Sequence, residues 1–301
     1  MLHLRSFFIS SLFLLIISPA YSQVYLGRIE KEGILLSETI KKSKISPEYF
    51  QEKLSLLSYN YGETVIFDYL NNDLKDFTNI KIGEKYFISC LENVTSEIVS
   101  GYTIYSFNGN FRDFYPLISN KTNLCLYNNY EYQEEHKNLV IISKDSLFEK
   151  INFAPMFSGI PNGFKQRIFQ DVKNFEVYGE ESWNAKKEYI SEVNNEDIVF
   201  FRGSFCNKSK EEYFVTYLRQ SGDDFINTNY VMTSDAKVIE FFTTPRKVFE
   251  YREIIGACDY DNDGLDEILI KVGYYEGSGY ELWKFKSNKF VKIAEGFYFG
   301  V

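Results

Sequence analysis

Asp259-Tyr260-Asp261-Asn262-Asp263-Gly264-Leu265-Asp266-Glu267, running directly into Ile268-Leu269-Ile270, is the stretch from which the rest of this 301-residue chain is best read. Carboxylates stand at its first, third, fifth and ninth places, and a glycine at its sixth. A hard divalent cation takes six to eight oxygens at roughly 2.3–2.6 Å, and alternate residues of a tightly curled loop turn theirs inward. Asp259, Asp261, Asp263 and Glu267 are therefore the candidate side-chain ligands. Leu265 would give only its carbonyl, which leaves its side chain free to be apolar. Gly264 permits the positive φ that so sharp a turn needs. Five acids within nine residues repel one another unless positive charge sits among them, so calcium is the expected cofactor. The plainer alternative is a solvated acidic turn with no metal.

The loop is flanked by extended segments, Val248–Ile255 before it and Ile268–Val272 after it. An EF-hand needs a bidentate Glu at the twelfth place and a helix on each side, whereas the twelfth residue here is Ile270. Asp259, Asp261, Asp263, Gly264 and Glu267 between two strands resemble the FG-GAP (VCBS-like) repeats of integrin-type β-propellers. That resemblance implies a mainly β fold with a propeller or propeller-fragment C-terminal domain, and a role as an interaction or adhesion scaffold. An internal echo points the same way. Gly203 to Val215 is similar to Gly256 to Ile270 with a shortened loop, and Glu211-Glu212-Tyr213-Phe214-Val215 matches Asp266-Glu267-Ile268-Leu269-Ile270. Coincidence between two strand-opening loops is the alternative. The earlier copy lacks the acids at its first, third and fifth places, so it is not expected to hold an ion. Lys208 and Lys210 stand ready to replace the ion's charge.

From about residue 101 to 301 the chain reads as short strands separated by Gly, Asn, Asp and Ser turns: Tyr102–Phe107, Leu139–Ser143, Ile198–Arg202, Tyr213–Leu218, Tyr230–Thr233, Val238–Thr243, Tyr280–Phe285 and Phe290–Ile293. Phe164–Phe175 reads equally as a helix or an extended excursion. Residues 23–100 read as a small α+β module. Ser46-Pro47-Glu48 has the N-cap, first-position proline and acidic first turn of a helix start, and Thr64 to Leu70 suggests a second helix. Ile80 to Ile88 then alternates like a strand.

Tyr61-Gly62, Leu70-Asn71 and Ile82-Gly83, closing two helices and opening a strand, resemble the back two-thirds of a LysM module. That family is βααβ and binds N-acetylglucosamine glycans, which implies glycan contacts from Leu70, Asn71, Ile82 and Gly83 and attachment to cell-wall glycan. The front departs from the family. The usual Gly-Asp-Thr is replaced by Ser43-Lys44-Ile45-Ser46-Pro47, a turn that would build part of the glycan groove.

Residues 1–22 read as a secretory signal: Arg5, an apolar run from Phe7 to Ile17, and Ala20-Tyr21-Ser22 at the cleavage position. The expected destination is the periplasm or exterior of a bacterial envelope, and no other segment is apolar and long enough to span a bilayer. In an oxidising compartment the four cysteines, Cys90, Cys125, Cys206 and Cys258, suggest up to two disulfides. Cys206 with Cys258 is the favoured pair, and four free thiols are the alternative. A net charge of −9 and a pI near 5.0 argue against a nucleic-acid partner. His136 is the one imidazole left after the signal is removed, which excludes a His-rich zinc site and leaves little material for a nucleophilic triad. No nucleophile elbow, phosphate loop or dinucleotide fingerprint occurs. The expectation is an exported, non-enzymatic, calcium-binding envelope protein whose partner is a protein or cell-wall glycan. An envelope glycan hydrolase using a carboxylate pair and a structural subunit of a secreted complex are the alternatives.

Overall fold

The computed structural model describes residues 24–30, 33–37, 65–67, 83–90, 94–107, 110–118, 139–145, 147, 149, 151–152, 163–172, 194–208, 211–221, 224–241, 250–274 and 277–300. β1 (Val24–Glu30), β2 (Gly33–Leu36), β3 (Val65–Phe67), β4 (Lys85–Ser89), β5 (Val94–Phe107), β6 (Asn110–Ile118) and β7 (Leu139–Ser143) build one antiparallel sheet in the order β3-β5-β4-β7-β1-β2-β6. β5 also pairs with β6, so the sheet curls until Ile118 is opposite both Val99 and Ile34. A helix, α1 (Phe164–Val172), comes next. β8 (Ile198–Gly203), β9 (Glu212–Ser221), β10 (Asp224–Met232) and β11 (Val238–Phe241) form a four-stranded antiparallel meander. β12 (Glu250–Cys258), β13 (Glu267–Tyr274), β14 (Gly277–Lys286) and β15 (Lys289–Gly300) form a second.

Period-2 alternation stacks these elements into layers. In β7, Val140 and Ile142 point into the curl with Tyr25, Ile34 and Tyr86, while Leu139 and Ile141 point out against Leu269, Tyr280 and Leu282 of the β12–β15 sheet. In β13, Leu269 faces that contact, whereas Ile268, Ile270 and Val272 face Phe201, Phe214 and Val231 of the β8–β11 sheet. In β9, Phe214 faces inward, and Tyr213, Val215 and Tyr217 meet Phe164 and Ile168 of α1 on the far side. Phe164 and Ile168 are four apart, hence on one helix face, while Lys165 and Arg167 are exposed and Arg167 pairs with Asp171 at 3.0 Å. Each large side chain so buried contributes about 1.5–3 kcal/mol. The β12–β15 sheet is therefore the molecule's central layer, covered on both faces, and its β12–β13 loop carries the acidic segment.

The propeller expectation is overturned. A propeller needs four or more blades around a channel. Among the described residues there are two four-stranded meanders, neither closed nor curled, and the face where a third blade would pack is taken by the curled sheet of the N-terminal strands. The LysM-like α+β module fails as well. Val65–Phe67, expected in its second helix, is a strand paired with β5, and β4 lies between β5 and β7 inside a seven-stranded sheet instead of a two-stranded βααβ one. Among the described residues α1 is the one α-helix. The proposed helix start at Ser46-Pro47-Glu48 lies outside them, as does His136. β5 runs without a break through residue 100, where the sequence reading changes from one module to the next.

Candidate metal centre

The last rung between β12 and β13 pairs Cys258 with Glu267, and residues 259–266 hang from it as a loop. Asp259 curls this loop by accepting two backbone N–H groups, from Asp263 at 2.9 Å on Oδ1 and from Gly264 at 2.8 Å on Oδ2. Asp263 Oδ1 accepts the N–H of Leu265 at 2.9 Å, and Glu267 Oε2 accepts that of Tyr260 at 3.1 Å. Gly264 has φ +87°, as the turn demands, and Asn262 also sits in the left-handed region. The buried ring of Tyr260 and the buried side chain of Leu265 anchor the loop from beneath. With the loop so curled, one carboxylate oxygen each from Asp259, Asp261 and Glu267 lies within 4.8 Å of the others.

Of the five predicted ligands, then, three are gathered. Asp263 adjoins them but is engaged by a lysine that the sequence did not single out. Lys284 of β14 places its Nζ 2.7 Å from Asp261 Oδ2, 3.0 Å from Asp263 Oδ2 and 2.7 Å from Glu267 Oε1. Only register reveals it. Ile268 pairs with Trp283, so the next step along both strands sets Glu267 beside Lys284. Burial works against the charge on Lys284, yet the carboxylates of Glu267, Asp261 and Asp263 outweigh it and raise its pKa. Asp263 is likewise pushed up by burial but pulled down further by Lys284, with Lys208 adding to the pull. Glu267 is fully buried, and burial lifts it to about 8 against the opposing influence of Lys284. A second group missed in the sequence, Glu149, comes from the segment after β7, where Asn152 bridges to Ala257. Burial raises the Asp266 carboxyl against the opposing Ser204 N–H, and the charge of Glu149 adds to the rise.

Asp266 is turned away from this cluster toward the other meander. Its Oδ2 accepts the N–H of Ser204 at 2.7 Å, and its own N–H donates to the Ser204 carbonyl at 2.8 Å. Gly203 is needed beside it, because a Cβ there would overlap the Asp266 carboxylate. The loop that begins at Ser204 is the internal echo, and it is not shortened. Gly203 pairs with Glu212 as Cys258 pairs with Glu267, so both loops have the same length. Glu212 Oε2 accepts the N–H groups of Phe205, Cys206 and Asn207 at 2.9, 2.6 and 3.3 Å, the counterpart of Glu267 accepting from Tyr260. Phe205 fills the place of Tyr260, both buried. Lys208 does not neutralise its own loop. Its Nζ donates across to the Asp263 carbonyl.

This register also corrects the cysteine pairing. Cys206 matches Asp261 in the equivalent loop, not Cys258, and both Cys206 and Cys258 are free thiols. Burial, reinforced by Glu267 and Asp266, raises the Cys258 thiol. Cys90 is buried and disulfide-bonded, and Cys125 lies outside the described residues. Leu70, Asn71 and Ile82 also lie outside them. Gly83 occupies an exposed turn ahead of β4, donating its N–H to the Val99 carbonyl at 2.8 Å. With the LysM likeness gone, the glycan contacts inferred from it lose their basis.

Comparison with protein-family models, with curated proteins and with solved structures finds no match. Among the described residues no helix is long and apolar enough to cross a membrane. The site stands on its own geometry: an acidic cluster of hard oxygen donors, Glu267 buried at its base and Asp261 exposed at its rim, that can chelate a cation.

Proposed function

We propose that the protein is an exported, non-enzymatic calcium-binding protein of the cell envelope. The observation that carries this reading is the convergence of Asp259, Asp261 and Glu267 at the junction of β12 and β13. The donors are all carboxylate oxygens on a curled loop. That set suits calcium better than the softer transition metals, and a loop tolerates calcium's irregular coordination more readily than magnesium's strict octahedron. The ion would tie the loop to the central sheet, so its contribution is to stability. Export is supported by the signal-like first 22 residues, and a non-enzymatic role by the absence of any nucleophile or phosphate motif.

Thermal melting of the protein from Gln23 onward tests the reading. Calcium at a hundredfold excess over its dissociation constant is expected to add about 2.7 kcal/mol, a rise in Tm of several degrees. Asp261→Ala is expected to abolish the rise. Equal melting curves in calcium and in chelator would reject the cation, and retention of the full-length chain in the cytoplasmic fraction would reject export.

A further inference from the structure

We infer that Lys284 is a built-in competitor of the divalent cation, so that the acidic loop alternates between a lysine-closed and a metal-bound state. This rests on the reading of the loop as a cation site. An ammonium has three donors, and each of those on Lys284 faces a different carboxylate, Asp261, Asp263 or Glu267, at 2.7–3.0 Å. Two of these, Asp261 and Glu267, belong to the trio that converges for a metal. A divalent ion drawing on those two carboxylates would stand against an ammonium a few ångströms away.

Lys284 also has the means to leave. Asp261 and Asp263 are each more than a third exposed, so the rim of the cluster opens to solvent, and the four-carbon lysine stem can carry its charge outward while the stem stays packed. The face of Tyr260, 5.7 Å from Nζ, holds the ammonium in the closed state. Glu267, fully buried, gives up its proton only with a positive partner beside it, in either state. The lysine supplies one when calcium is scarce, so the loop stays folded without metal. The cost is affinity: calcium binds only to the fraction of molecules in which Lys284 has moved aside.

The test compares the wild-type chain from Gln23 onward with Lys284→Met, which keeps the stem and removes the charge. Calcium titrated calorimetrically is expected to bind Lys284→Met at least tenfold more tightly. The variant is also expected to lose more stability in chelator than the wild type does. Equal affinities in the two proteins would overturn the competition and leave the cation site intact, whereas no binding in either would overturn both. A second measurement needs no variant: acylation of Lys284 in the wild-type protein, followed by mass spectrometry, is expected to speed up severalfold on adding calcium. An unchanged rate alongside a calcium-induced rise in Tm would contradict the competition alone, and an unchanged rate with no rise in Tm would sink the site as well.

Discussion

At Glu212 a single carboxylate oxygen collects the N–H groups of three consecutive loop residues, and 55 positions later Glu267 repeats the arrangement with Tyr260. Both acids are fully buried, which is costly unless the charge is met by donors. Glu212 has the amides, while Glu267 has one amide and Lys284. Glu212→Ala strands three donors, that of Phe205 buried and those of Cys206 and Asn207 partly so, and is expected to lower the unfolding free energy by about 3 kcal/mol in urea titration. A loss under 1 kcal/mol would show that water replaces the carboxylate easily. Glu267 makes the opposite kind of prediction. Its folded pKa of about 8 lies above the ordinary 4.5, so the folded state prefers the protonated form. That contribution is complete below pH 4.5 and is lost as pH climbs through 8. In chelator, stability should therefore slope downward between pH 5 and 8, and Glu267→Gln should flatten the slope. Excess calcium, which favours the ionised form, should flatten it too. A wild-type slope in chelator that rises with pH would contradict the burial argument.

The strands were legible where side-chain chemistry was one-sided. Leu139–Ser143 and Ile198–Arg202 are found almost to the residue, because β-branched and aromatic runs bounded by turn residues have few alternatives. Val65–Phe67 was misread as helix, because three residues of a strand are too few to show a period and the neighbouring sequence suggested caps. β1, β2 and β6 carry no such local signal for a related reason: part of what makes them strands is pairing across long stretches of chain, β1 with β7 and β2 with β6. The spacing within the acidic loop names the loop's own carboxylates but neither Lys284 nor Glu149, since it says nothing about which other segment lies opposite. β13 offers a test of the layer reading. Leu269 and Ile270 point to opposite faces, and both faces are covered. Each mutated to alanine is expected to cost about 2–5 kcal/mol by chemical denaturation. If one costs less than about 0.5 kcal/mol, that face of the central sheet is exposed.

Across the molecule, the order of layers explains why a cation at one loop would matter beyond it. The β12–β15 sheet is shared by two cores, one with the curled sheet and one with the β8–β11 meander; the acidic loop meets the meander through Ser204 against Asp266, and Asn152 opposite Ala257 ties the end of β12 to the segment after β7. Local sequence pointed to repeated blades because the two meanders do repeat, down to loop length and the buried acid. It gave no warning that the next layer would be a curled sheet built from the other end of the chain. The most direct measurement is tyrosine-sensitised luminescence of terbium, a trivalent stand-in for calcium, with Tyr260 as the donor inside the loop. The account predicts saturable emission that calcium displaces and that Asp261→Asn abolishes. Emission that is absent, or that is equally strong in Asp261→Asn, would contradict a cation held between Asp259, Asp261 and Glu267.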